Sequence, residues 1–211
     1  MKNKNIPELS LGEEITNSIT HGIGAILAIL GLILLLFKSD TGLKITASLI
    51  YGLSIFILML MSCLYHAFKN NTGVKRLWRR FDYMSIYLLI AGTFAPILLI
   101  FAPSLISTIV FIIQWIVVIV GIVLISIFGI ESNQKLHLTL YFIIGWSGIM
   151  YLPYFYIHSL PLLFYILIGG IVYTIGMFPF TSKKKYSHSI WHIFVLIGAI
   201  IHYIGIYLYI Y

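Results

Sequence analysis

The chain has 211 residues, of which 61% are hydrophobic and only 9% charged, where an ordinary soluble domain carries roughly a quarter charged residues. With a mean hydropathy of +1.04 there is too little polar surface to coat a water-soluble globule, which excludes a soluble enzyme, a disordered chain and a fibrous repeat. The formal net charge of +7 does not point to nucleic acid, because the basic residues fall in short segments beside apolar runs, where they set membrane orientation and meet anionic headgroups.

In chain order, the first eighteen residues, MKNKNIPELSLGEEITNS, lack the apolar core and small-residue cleavage site of a signal peptide. They are expected to stay in place as an N-terminal segment, 1–18, of a single transmembrane domain covering 1–211. Apolar stretches of helical length then predict seven spans, near 19–37, 43–68, 82–102, 105–128, 136–155, 160–178 and 187–210. The end of the fifth is the least sharply marked, with Pro153 followed by an aromatic run. The runs are apolar all round rather than alternating, which argues against barrel strands. The expected fold is therefore all-α, a seven-helix bundle of a multi-pass cell-membrane protein.

The connecting segments carry an orientation signal. Lys2 and Lys4, then Lys69, Lys75, Arg76, Arg79 and Arg80, then Lys135, then Lys183, Lys184 and Lys185 share one side of an odd-numbered bundle, and the other side holds only Lys38 and Lys44. This asymmetry predicts a cytoplasmic N-terminus and an outward C-terminus. The run from Lys75 to Arg80 reads as a topology signal, with lipid-headgroup binding as the sharper alternative.

Ionisable side chains inside apolar spans are costly, so each needs a partner or a purpose. His21 falls near the start of the first span, His66 at the end of the second, Asp82 at the start of the third, and His188 and His192 at the start of the seventh. Helices entering from opposite directions thus bring all five to one membrane level. His188 and His192 are spaced i, i+4 and project from one helical face, as do Ser62 and His66. Cys63, the single cysteine, is turned about 100° from Ser62 on the helix and reads as a packing residue.

Three histidines from two helices with an aspartate on a third would supply zinc with enough donors and leave one position open to water. Each element also has a plain reading: His66 as a hydrogen-bonded interfacial residue, the HxxxH spacing as chance, and Asp82 as a helix cap or local partner of Arg79 and Arg80. Glu14, Asn17 and His21 are spaced i, i+3, i+7, and Glu13 lies four before Asn17. This polar stripe is either capping and interfacial, or it backs and gates the site. His137 has no helical partner and is expected at the interface, and His158 is expected in an outer loop. His202 lies about 15 Å along the helix from His192, too far to join the same site, and is expected to be buried and hydrogen-bonded.

EEITNSITHGIG at 13–24, SCLYH at 62–66, FDY at 81–83, AGTFAP at 91–96 and HSIWH at 188–192 resemble the bacterial hemolysin III proteins, relatives of the progestin and adipoQ receptor family that includes the adiponectin receptors. The resemblance runs essentially from end to end. It implies seven spans with a cytoplasmic N-terminus and a zinc ion (Zn2+) held by His66, His188 and His192. It further implies that Asp82 contacts the zinc-bound water and that Ser62 lies beside the site. The wider superfamily also contains alkaline ceramidases, which hydrolyse lipid amides.

Residues and resemblance together lead to an expectation of zinc-dependent hydrolysis of a lipid amide or ester, with Asp82 and Ser62 as catalytic groups and a membrane lipid as substrate. Two other expectations stand beside it. One is a pore-forming or membrane-perturbing protein. The other is a receptor-like membrane-homeostasis protein in which zinc is structural. The sequence leaves a homo-oligomer open.

Overall fold

The computed structural model describes residues 9–211. Lys2, Lys4 and the rest of 1–8 lie outside the described residues. The described chain is helical, with no strand. Its α-helices are α1 (Leu11–Phe37), α2 (Gly42–Ala67), α3 (Gly73–Pro96), α4 (Leu105–Phe128), α5 (Gln134–Trp146), α6 (Leu152–His158), α7 (Leu160–Thr181) and α8 (Ser187–Tyr209). Seven stretches are long and apolar enough to cross a membrane: α1, α2, α3 with its extension to Phe101, α4, α5 continued through α6, α7 and α8. The chain is an all-α, multi-pass membrane protein.

Exposure runs opposite to that of a soluble helix. On α1, Ile15, Ile19, Ile23 and Ile26 are exposed, while Glu13, Glu14, Asn17 and His21 are buried. That inversion is the mark of a helix whose outer face meets lipid and whose polar groups must find partners inside the bundle. Of the spanning stretches, α3 is the most enclosed, 61% buried against 22% for α4, and it packs chiefly against α2, α4 and α5.

Three boundaries differ from expectation, each for a local reason. Helix α1 begins at Leu11 rather than near 19, because Ser10 and Glu13 form a capping box in which each side chain meets the other's backbone amide. Helix α3 begins at Gly73 rather than 82, capped by the Thr72 hydroxyl, which accepts from the Lys75 amide. Its first turns carry charges that a hydropathy reading places in a loop. The fifth span is broken into α5, a 3₁₀ turn over Ser147–Tyr151 and α6. Pro153 sits in the first turn of α6, where its missing amide hydrogen costs nothing.

Helix α3 ends in a π turn over Ile97–Phe101. Pro96 supplies no amide hydrogen there and crowds the carbonyl one turn back, so the wider turn accommodates it. One turn earlier, a Cβ on Gly92 would sit 2.1 Å from Ser54 Oγ and 3.2 Å from the Ile50 carbonyl oxygen, so the close crossing of α2 and α3 requires glycine at this position.

The buried apolar side chains form three groups. Ala25, Tyr51, Met59 and Val195 hold α1, α2 and α8 together, and Tyr83, Tyr87, Val118 and Tyr141 join α3, α4 and α5. At the other end of the bundle, Phe94, Ile97, Phe155 and Leu162 close the extension of α3 against α6 and α7. Between these groups lies a cavity of about 180 Å³, lined by residues of every α-helix except α4.

Candidate metal centre

The end of the bundle that holds the starts of α1, α3 and α8 and the end of α2 gathers the polar residues. Ring centroids of His66 lie 5.2 Å from His188 and 4.8 Å from His192, and those of His188 and His192 are 4.7 Å apart. One nitrogen from each of the three rings lies within 4.8 Å of the others. Three imidazoles from two helices, separated in sequence by a hundred residues and more, are thus close enough to share one metal ion.

The donor chemistry fits such an ion. His188 and His192 turn their Nε2 atoms towards each other at 3.0 Å, and His66 Nε2 is buried with no protein partner. Buried polar atoms are nearly always satisfied, so an unpartnered imidazole nitrogen beside two others is the arrangement that an imidazole-binding cation such as zinc completes.

Glu14 and its neighbours orient the rings from behind. The His66 Nδ1–H donates to Glu14 Oε2 at 2.7 Å, and the Asn17 amide lies 3.4 Å from the same nitrogen. The other Glu14 oxygen accepts from Lys75 Nζ at 2.7 Å. A carboxylate behind a ligating histidine fixes the tautomer and raises the basicity of the opposite nitrogen. Glu13 reaches the other ligand helix: its Oε1 accepts the Tyr186 backbone N–H at 2.7 Å. Tyr186 has a left-handed backbone, φ 61°, which few non-glycine residues adopt. This held turn leads directly into α8, two residues before His188. His21 packs its ring 3.9 Å from that of His192 and donates from Nε2 to the His192 carbonyl at 3.3 Å.

Asp82 and Ser62 line the cavity together with His21, His188 and His192. Both are buried. The five groups expected at one membrane level, His21, His66, Asp82, His188 and His192, therefore meet at one end of the bundle. Cys63 stands outside the cluster, its sulfur 3.4 Å from the Ser18 hydroxyl, as a packing residue would.

Other expectations need correction. His137 has a partner from another helix: it is 1% exposed, and its Nδ1 meets the Tyr87 hydroxyl at 2.8 Å. The partner comes from α3, which i, i+4 spacing along α5 does not reveal. His158 is not in a loop but is the last residue of α6, donating from Nδ1 to the Tyr154 carbonyl at 2.9 Å. His202 is buried as expected, with Nε2 donating to the Ile166 carbonyl at 3.0 Å. The run Lys75 to Arg80 is more than a topology signal, because Lys75 is fully buried against Glu14 and Arg79 pairs with Glu131. The sequence reading missed Lys75 as part of the site. The one signal for it is that α3 continues through it from the Thr72 cap.

Comparison with known proteins follows the same outline. The sequence model of a family described as Haemolysin-III related matches residues 9–203. Hemolysin-3 of Bacillus cereus is 40% identical over 195 residues, covering 89% of this chain and 87% of the relative. A hemolysin-3 homolog of Bacillus subtilis (strain 168) is 34% identical over 198 residues, covering 90% and 91%. The human monocyte to macrophage differentiation factor is 26% identical over 205 residues, covering 94% of this chain and 85% of its own length. The match takes in every residue of the histidine cluster and all of the spans but the last six residues of α8, and the chain belongs to the haemolysin-III related family.

Proposed function

We propose that the chain is a membrane-embedded zinc hydrolase acting on an amide or ester bond of a lipid. The observation that carries this reading is the unpartnered, buried His66 Nε2 beside the facing His188 and His192 nitrogens, the latter two rings lining a mostly apolar cavity that Asp82 also lines. Zinc held there by three neutral nitrogens would act as a Lewis acid and promote ionisation of water near neutral pH.

The chain's own residues supply the rest. Asp82 would orient the attacking water, take its proton as general base and return it to the leaving amine or alcohol as the C–N or C–O bond breaks, leaving the fatty acid. Ser62 donates from its hydroxyl to the carbonyl oxygen as that oxygen gains negative charge. Leu89, Ile90, Phe94, Ile97 and Leu167 line the cavity beyond the cluster and provide an apolar wall for an acyl chain. With the orientation expected from the basic residues, the cluster lies at the inner leaflet and the lipid enters sideways from it.

Metal content and turnover of lipid amides and esters by the detergent-purified protein test this reading. Bound zinc, turnover by the parent, no metal in His188→Ala, and metal without turnover in Asp82→Asn are the expected results. Bound zinc with no turnover of any such lipid would overturn it, and zinc would then be structural, as in the receptor-like reading.

The name of the Bacillus relatives, hemolysin-3, supports a second reading, a protein that perturbs membranes. Dye release from proteoliposomes that is unchanged when the three histidines are replaced would favour it.

A further inference from the structure

The most unusual charge in the bundle is Lys75. Lysine is almost never fully buried unless it is paired, yet Lys75 has 0% exposure. Every direction around its ammonium is committed. Nζ donates to Glu14 Oε1 at 2.7 Å and to the Phe68 carbonyl at 3.1 Å, and it lies over the Tyr65 ring, 4.9 Å from the centroid. These partners come from α1, from the end of α2 and from the residue that follows α2, while Lys75 itself is in the first turns of α3.

A lysine there does more than neutralise an acid. A carboxylate with one free oxygen can rotate about its terminal torsion, and the donor it accepts from is then not fixed. With Oε1 held by Lys75, only Oε2 faces His66, and it accepts at 2.7 Å from Nδ1. A carboxylate so engaged is an acceptor only, and at 2.7 Å it is a much nearer partner of Nδ1 than the Asn17 amide at 3.4 Å, so His66 carries its proton on Nδ1 and turns the lone pair of Nε2 away from Glu14. Nε2 is the nitrogen left buried without a partner.

We propose that Lys75 is a positioning residue of the metal centre, acting through Glu14 to hold His66 in the tautomer that presents Nε2 to the ion. The inference rests on the metal reading of the cluster for its consequence, but the ordered chain Lys75, Glu14, His66 stands on the geometry alone. Lys75 touches neither the ligand nitrogens nor the cavity. Its role is to make one of three rings a committed donor before any ion arrives, which removes a reorientation cost from binding.

The test uses the full-length protein in detergent with zinc as the probe, measured by competition with a chelator, and selective ¹⁵N-histidine NMR of the metal-free protein. Lys75→Met is expected to weaken zinc binding roughly 10- to 100-fold, the range for loss of a group behind a ligand. The His66 ring signal, assigned through His66→Gln, is expected to move from a pure Nδ1–H pattern to a mixture of tautomers.

Because Lys75→Met leaves a buried carboxylate unpaired, the neutral pair Lys75→Met with Glu14→Gln keeps the measurement independent of folding. If the two residues act as one chain, the double variant binds zinc no more weakly than the worse single variant. Additive losses, or a Lys75→Met protein with parental zinc affinity and an unchanged His66 signal, would overturn the proposal. A parent protein that binds no zinc would instead overturn the metal reading, and the tautomer measurement, made without metal, would still decide the role of Lys75.

Discussion

The cavity touches buried histidines at two places, and they are built on different plans. At one end His66, His188 and His192 converge from two helices, with Glu14, Lys75 and Asn17 behind His66 and with nitrogens left over. Ten residues further along α8, His202 is equally enclosed, but it stands as a lone ring. It donates to one backbone carbonyl and fits against Gly169, where a Cβ would lie 2.2 Å from the imidazole. Burial and cavity contact are common to both. Convergence of several rings and a charged second layer are not, and those are the features that distinguish a binding centre from a packed polar residue.

The sharpest test of that contrast is to remove one ring at each place. His188→Ala is expected to abolish stoichiometric zinc, while His202→Ala retains it, as read by elemental analysis of purified protein. Equal metal loss from both would break the comparison. Next in size is the effect of the cavity carboxylate. Asp82→Asn is expected to keep zinc and lower lipid amide or ester turnover by about 10² to 10⁴, the usual contribution of a general base; parental turnover would remove Asp82 from the chemistry.

A smaller effect is expected at the lone-ring end. Gly169→Ala forces the His202 ring aside and is expected to cost about 1–3 kcal/mol of stability, seen as a lower melting temperature with zinc content unchanged. A loss of metal there would mean that the two ends are mechanically joined.

The smallest effect lies at the turn between α1 and α2, where the exposed Asp40 pairs with the half-buried Lys44 of the first turn of α2, 3.0 Å apart. The hydrogen bond from the Lys44 side chain holds the Asp40 carboxyl below its ordinary range. The pair's contribution is therefore complete above that ordinary range and is lost as pH falls through the lowered value. Because Asp40 is exposed, the pair is expected to leave the melting temperature of Asp40→Asn indistinguishable from the parent at neutral pH. A resolved drop in melting temperature would show that this loop matters to the bundle.

Much of the site was legible in the sequence because its signals are local or additive. Apolar runs mark spans, i, i+4 spacing marks a shared face, and the alternating direction of the spans equalises the depth of His21, His66, Asp82, His188 and His192. What escaped depends on distant partners. Lys75 meets Glu14 across 61 residues, and His137 meets Tyr87 across 50, separations at which no periodicity operates. The charged first turns of α3 also escaped, since a hydropathy window registers lipid contact and cannot see a helix that continues past the apolar layer with its charges turned inward. The break in the fifth span leaves only Pro153 as a trace, and a proline at a helix start is indistinguishable in sequence from one in a loop.

The order of α1, α2 and α8 along the chain bears on how the protein is made. Two of the three grouped imidazoles arrive on α8, long after α1 and α2, and until then Glu13 lacks the Tyr186 amide it will receive and His21 lacks the His192 carbonyl. A nascent chain halted before that helix would offer a passing ion a single ring. The three-ring group is therefore assembled only once α8 has joined α2 in the bundle, and any ion it holds would be taken up after that step rather than before it.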